Sequence, residues 1–306
     1  SVDWSGDWFT EKALWGLVIG IAQWWVLRPQ FRGDLWWIVA SVAGWTAGEA
    51  VAQLFSGYGD LAQIGIAGLI MALGISLVTG CSWFAKAPMD VLTYDVDAGT
   101  PQQNLFVFMR GIGGSHRSFE EEGLVDDVRA MELPFDMAAP NAHLGYYTGR
   151  TLLVRLKADV IDPARREGKD NIWLVGFSMG GLGSLLYLRE HPEDIEGVCL
   201  IAPFLGDEEI IEEIQAAGGV RSWSPGVYDA DDDYQRMLWH WIKDNVAGDN
   251  PVPIFLGCGT EDEFAPACAL LAALLPEDRV INIPGGHDYA TFKALWDRFL
   301  ESRIYL

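Results

Sequence analysis

The sequence predicts an α/β domain, with a mostly parallel sheet flanked by helices and a small lid insertion, preceded by about three transmembrane helices. Three observations carry this. From Met89 onward, short β-branched or apolar runs alternate with amphipathic helical stretches, the pattern of a parallel sheet covered by crossover helices. Before residue 86 three apolar stretches follow one another, and nine of the chain's 14 tryptophans lie in this part. Charge is divided the same way. The chain has a net charge of −22, yet its first 86 residues contain four basic and six acidic side chains, so nearly all the excess lies in the remainder. The two parts are built for different solvents.

In the second part, strands are expected over residues 91–96, 104–109, 135–138, 172–176, 197–202, 253–257 and 279–283. Helices are expected over 119–131, 151–167, 180–191, 208–217, 232–245, 266–275 and 289–302. The domain therefore runs over residues 86–306. The stretch from 204 to 251 is too long for a simple crossover; it carries an acidic helix, a Gly/Ser/Pro turn and an aromatic helix with Trp239 and Trp241. It reads as a lid over the strand ends or as packed helix with no gating role.

The first part, residues 1–85, is expected to span the membrane near residues 13–27, 35–55 and 61–84. A spanning helix needs about 20 predominantly apolar residues, which the third stretch supplies without a charge. Small residues recur at helical spacing, as in Ala40, Gly44, Gly48 and Ala52 or Gly68, Ala72, Ser76 and Gly80. Such rows let helices approach closely in lipid. Trp24, Trp25, Trp36 and Trp37 sit at segment ends, where indoles favour the headgroup region. Glu49 is an acid within a span; it reads as a partner for a cation, pigment or subunit, or as a protonated helix-contact residue. Arg28 and Arg32 in the first loop favour a cytoplasmic loop, which leaves the α/β domain on the cytoplasmic face of a bacterial inner membrane. Val78-Thr79-Gly80-Cys81 is a competing signal, resembling a lipobox that would place the domain outside.

Composition also excludes. An acidic chain with a pI near 4.4 repels phosphate backbones, so no nucleic-acid partner is expected. Cys81, Cys199, Cys258 and Cys268 lack CxxC spacing, so neither zinc nor a disulfide framework is expected; Cys199 reads as a core thiol, and Cys258 with Cys268 as a pair that could bridge.

The chemistry-bearing residues follow strand ends. Residues 172–181 run from an apolar strand into Gly176-Phe177-Ser178-Met179-Gly180 and then a helix. A sharp strand-to-helix turn of this kind exposes a serine Oγ as a nucleophile, with glycines leaving room for it. Serine needs a base. His287, in Pro284-Gly-Gly-His-Asp288 between the last strand and the last helix, is placed to serve. The base needs an acid, and the turn after the penultimate strand offers Glu261, Asp262 and Glu263; Asp262 is favoured, with Glu261 as the fallback. An oxyanion needs two aimed N–H groups. Met179 follows the nucleophile, and Ile112 lies in the Gly-rich Arg110-Gly-Ile-Gly-Gly loop after the 104–109 strand. Arg110, His116 and His143 follow early strands and are candidates for lining the substrate site.

Together these motifs resemble the α/β-hydrolase family over residues 89–306. The resemblance implies an eight-stranded or near eight-stranded sheet, no metal or other cofactor, and acyl transfer by way of an acyl-serine. Many members carry His where Arg110 stands, a departure that bears on substrate orientation. The expected function is a membrane-anchored serine hydrolase of carboxylester, lipid-ester or thioester bonds, whose partners are an acyl or lipid substrate and the bilayer. The alternative is an accessory subunit of a larger membrane complex, docked through its Trp-rich helices with the α/β domain as a cap.

Overall fold

The structure is a computed structural model that describes residues 85–97, 100–247 and 252–306. The chain divides into two units, Ser1–Phe84 and Ala85–Leu306. The predicted spans, Glu49 and the motif at residues 78–81 therefore lie outside the described residues. No helix among the described residues is long and apolar enough to cross a membrane.

Seven strands form one sheet: β1 (Val91–Tyr94), β2 (Asn104–Met109), β3 (Phe135–Pro140), β4 (Asn171–Phe177), β5 (Gly197–Ile201), β6 (Ile254–Gly259) and β7 (Val280–Ile283). Their order is β1-β3-β2-β4-β5-β6-β7. Only β1, at the edge, runs antiparallel, pairing Val91 with Pro140 and Tyr94 with Met137. Among the described residues the sheet thus has seven strands, in keeping with the near eight-stranded sheet that the family resemblance implies.

The strand order reverses direction between β2 and β4. From β2 the chain steps outward to β3 on one side; from β4 it steps to β5, β6 and β7 on the other. In open parallel sheets such a switch point leaves a crevice beyond the carboxyl ends of the strands, where ligands bind. Register aligns those ends, with Met109 opposite Gly176, Phe177 opposite Ile201 and Gly259 opposite Ile283. Every loop that carries a predicted site residue except His143 leaves one of these ends; His143 follows β3.

Alternation along the central strands builds two cores, because successive side chains point to opposite faces. Leu105, Val107 and Met109 of β2 join one face. Phe106 and Phe108 join the other, with Phe135, Trp173, Val175, Phe177 and the last helix. That second core is aromatic: Phe106 stacks on Phe135 at 4.0 Å and meets Trp296 edge-on at 5.4 Å. Both faces being covered, the strands read as near-continuous apolar runs, as parallel sheets require.

The helices are α1 (Ser118–Glu121), α2 (Leu124–Ala130), α3 (Leu144–Thr148), α4 (Leu152–Leu156), α5 (Asp162–Arg166), α6 (Met179–Glu190), α7 (Glu208–Ala216), α8 (Tyr234–Trp241), α9 (Ala265–Ala272) and α10 (Tyr289–Ser302). Four differ from expectation, one being the helix predicted over 232–245, which passes from α8 into a π-helical turn at Ile242–Val246. The single helix predicted over 119–131 is split into α1 and α2, because Gly123 adopts a left-handed φ of 83° that a helix cannot continue through. The helix predicted over 151–167 passes through a π-helical turn at Lys157–Ile161 between α4 and α5. And α3 has no sequence signature, since five residues are too few to show a period.

The 204–251 insertion holds α7, α8 and a π-helical turn at Ile242–Val246. Its Ile210, Ile214, Trp223, Leu238 and Trp239 are buried in the same core as the inner strands. The Trp239 indole donates to the Leu205 carbonyl at 2.7 Å, and Arg236 makes a two-pronged contact to Glu213 with both bonds at 2.7 Å. Cys199, Cys258 and Cys268 are all free buried thiols, so no bridge joins the last two.

One buried ion pair ties the connections at the amino ends of the sheet. Asp136 on β3 and Lys169 before β4 are in direct contact, with side chains only 6% and 8% exposed. Asp136 also accepts from the Val96 and Gln102 amides, at 3.1 and 3.0 Å, and Lys169 donates to the Gln102 carbonyl at 2.8 Å. A buried charge left without its partner costs far more than the intact pair contributes. Lys169→Met is therefore expected to lower unfolding free energy by about 3 kcal/mol or more, read from the urea midpoint of tryptophan fluorescence.

Candidate active site

Ser178 sits between β4 and α6 at φ 53°, ψ −119°, a backbone conformation that a β-carbon normally avoids. The turn is held from several directions. The Ser178 amide donates to the Ile201 carbonyl at 3.0 Å, and its own carbonyl accepts from Gly181 at 2.9 Å and Phe204 at 3.0 Å. The neighbouring glycines are required sterically. A Cβ on Gly180 would lie 1.9 Å from the Met109 carbonyl oxygen, and one on Gly181 would lie 2.5 Å from the Pro203 ring. The elbow can approach β2 and β5 this closely only without side chains there.

His287 reaches the serine. Its Nε2 lies 2.9 Å from Ser178 Oγ, and its Nδ1 lies 2.8 and 3.0 Å from the two carboxylate oxygens of Asp262. Asp262 has a fully buried side chain, and its Oδ1 also accepts from the Phe264 amide at 2.8 Å. An ionised carboxylate only accepts, so Nδ1 carries the imidazole proton and Nε2 is left to take one from Ser178. Glu261 and Glu263 are exposed in the same turn. Of the three candidate acids, the structure sets Asp262 against the histidine.

The acid and base loops are stitched to each other. The Thr260 amide donates to Ile283 at 2.8 Å and the Glu261 amide to Gly285 at 2.9 Å. Gly285 has a φ of 140°, and a Cβ there would lie 2.3 Å from Thr291 Oγ1, so only glycine lets the His287 loop pass under α10. The His287 ring is further fixed by Phe264 and Phe292, edge-on at 4.8 and 4.9 Å.

The loop after β2 lies beside the nucleophile. A Cβ on Gly111 would be 3.2 Å from Ser178 Cβ and 3.7 Å from its Oγ. Among the described residues, neither the Ile112 nor the Met179 backbone amide is spent on another hydrogen bond, which leaves both available to an oxyanion. The Ile112 side chain itself is 59% exposed. The remaining predicted residues surround Arg110. His116 has a buried Nδ1 without a partner among the described residues. His143 uses its Nδ1 to accept from the Gly145 amide at 3.1 Å, capping α3. Burial, and then the positive charges of Arg117 and Arg110 for His116, holds the pKa below its usual value. Burial followed by Arg110 does the same for His143.

Sequence reasoning missed several neighbours of the triad. Tyr147 donates to the Met179 carbonyl at 3.0 Å. Tyr289 packs against Gly114, where a Cβ would lie 2.5 Å from its hydroxyl, and its hydroxyl bonds Ser118. Phe264 and Phe292 complete the set. Tyr289 stands two residues past His287, the only hint available; nothing marked Tyr147. Among the described residues the group with metal-ligand spacing is His191, Glu193 and Asp194, past the end of α6. Asp194 is already held by Lys157 and Tyr187, each at 2.7 Å.

The family model described as serine aminopeptidase, S33, matches residues 143–228, which include the Ser178 elbow but neither Asp262 nor His287. Comparison with curated protein sequences gives no match. Among solved structures the chain is similar to Est1E from Butyrivibrio proteoclasticus, with 16% identity and a TM-score of 0.49 over 70% of this chain and 93% of that one. It is also similar to S-formylglutathione hydrolase FrmB from Staphylococcus aureus, with 15% identity and a TM-score of 0.48 over 66% and 82%. A third is the monoacylglycerol lipase of Paleococcus ferrophilus, with 15% identity and a TM-score of 0.44 over 70% and 99%. Switch-point sheet, strained elbow and the hydrogen-bonded Ser178, His287 and Asp262 define a serine hydrolase with the α/β-hydrolase fold.

Proposed function

We propose that this protein is a membrane-tethered serine hydrolase that cleaves carboxylester, lipid-ester or thioester bonds through an acyl-serine. The observation that carries the reading is the continuous hydrogen-bond chain from Asp262 through His287 to Ser178, at 2.8 and 2.9 Å. Ser178 Oγ attacks the acyl carbon while His287 Nε2 takes its proton. Asp262 holds the ring in the required tautomer and stabilises the imidazolium. The acyl oxygen, now an anion, is received by the Ile112 and Met179 amides. The first of these stands in the loop beside Ser178, and the second opens α6, whose N-terminus favours negative charge. Collapse expels the alcohol or thiol, which leaves with the proton from His287. Water then repeats the sequence on the acyl-enzyme and frees the acid. These steps call on no metal or other cofactor.

The tether rests on the apolar stretches before residue 85, and the loop arginines, Arg28 and Arg32, support a cytoplasmic catalytic domain at a bacterial inner membrane. A tether of this kind brings the site close to acyl lipids. The intact proton path supports an enzyme over a catalytically silent cap on a larger assembly.

Ser178→Ala is expected to abolish turnover of a short p-nitrophenyl ester, and Asp262→Asn to lower kcat on the order of 10⁴-fold through loss of the tautomer, whereas Glu261→Gln leaves it near the wild-type value. Near-normal turnover in Ser178→Ala would refute the assignment. In cell fractions, the full chain is expected to stay in the membrane pellet after a carbonate wash. Its recovery in the supernatant would remove the tether from this reading.

A further inference from the structure

The loop after β2 is built from Arg110-Gly-Ile-Gly-Gly114, and its glycines leave the peptide planes free to turn either way. An oxyanion hole tolerates one orientation only: N–H toward the acyl oxygen, C=O away from it. Something must choose. The Arg110 side chain folds back along its own loop instead of reaching outward. Its Nε donates to the Gly111 carbonyl at 3.2 Å, its Nη2 to the Ile112 carbonyl at 3.2 Å, and its Nη1 to Asn141 Oδ1 at 3.0 Å. In a trans peptide the C=O and the following N–H point in opposite directions. A guanidinium that holds the Gly111 carbonyl therefore turns the Ile112 N–H to the other side of the loop, and the bond to the Ile112 carbonyl does the same for the next plane.

The serine lies beside this loop. Gly111 stands against Ser178, with an added Cβ 3.4 Å from the Phe177 carbonyl oxygen and 3.2 Å from Ser178 Cβ. The clamp is itself anchored. Asn141 directly follows β3, and its amide is pinned to the Asp90 carbonyl at 2.8 Å. We propose that Arg110 is a positioning residue that presets the oxyanion hole, holding the Gly111 and Ile112 carbonyls so that the Ile112 amide faces the acyl oxygen at Ser178. This rests on the hydrolase reading given above. It reassigns Arg110 from lining the substrate to shaping the backbone that receives the transition state. The role requires a rigid planar fork reaching three separate acceptors, which lysine, a point charge on a flexible stem, cannot reproduce.

The test uses the full chain, steady-state kinetics on p-nitrophenyl acetate, and inhibition by a trifluoromethyl ketone, whose adduct with serine carries an oxyanion. Labelling of wild-type Ser178 by a fluorophosphonate, lost in Ser178→Ala, comes first. Without it the hydrolase reading fails and this inference falls with it. Given labelling, Arg110→Lys is expected to lower kcat about 10²-fold, the cost of misplacing a reacting group by about an ångström, with KM within twofold. The ketone should weaken by the same factor as kcat/KM. Asn141→Ala should lower kcat in the same way but less, and Asn141→Asp, which keeps an acceptor for Nη1, should recover most of it. Unchanged kcat in Arg110→Lys, or a raised KM with kcat preserved, would overturn the proposal. If Arg110→Lys does not fold, the Asn141 pair decides: equal kcat for Asn141→Ala and the wild type would also overturn it.

Discussion

Everything at this site depends on a single backbone turn. Ser178 is held at φ 53° where β4 gives way to α6, and non-glycine residues in that region cost free energy that surrounding structure must supply. Here the supply is visible. The carbonyl of Ser178 is bonded twice, its amide is bonded to β5, and Gly180 and Gly181 leave out the Cβ atoms that would push β2 and Pro203 away. The strain buys position. It lifts Oγ out of the strand direction and brings it to His287 Nε2, while the same turn starts a helix at Met179 whose amide makes no other backbone hydrogen bond among the described residues.

The sheet provides the frame in which that turn is useful. Reversal of strand order between β2 and β4 opens the crevice, and the two loops that border it carry the nucleophile and the Gly-rich segment. The acid and base arrive from β6 and β7, further along the same edge, and their loops are bonded to each other rather than to the elbow. Each partner of the proton path is thus fixed by its own strand, and the three converge because the parallel strands end in register. Fully burying Asp262 beneath His287 strengthens their interaction, since a charge-assisted bond gains in a dry environment.

Much of this was legible in the sequence. Each of the seven strands falls on an apolar run, and among the helices α7, α8 and α10 follow amphipathic spacing. Gly176 to Gly180 was readable because strand, turn and helix signals are local. The order of serine, acid and histidine along the chain narrowed the partners, yet three adjacent acids at 261–263 carried no distinguishing mark; only tertiary burial separates Asp262 from its neighbours. What escaped was non-local or too short. Tyr147 meets Met179 across 32 residues, and Arg110 meets Asn141 across 31. No periodicity records such contacts. The break at Gly123 and the π-helical turn at Lys157–Ile161 interrupt stretches whose apolar pattern continues without a gap.

The central claim is that catalysis passes through a covalent acyl-serine at this elbow. Rapid quenching of the full chain during turnover of p-nitrophenyl acetate, followed by peptide mass spectrometry, measures it directly. The account predicts one acetyl group, on the peptide that contains Ser178, formed in a burst that precedes steady release of acetate. Turnover with no acylated peptide, or with the acetyl group on a residue other than Ser178, would contradict it.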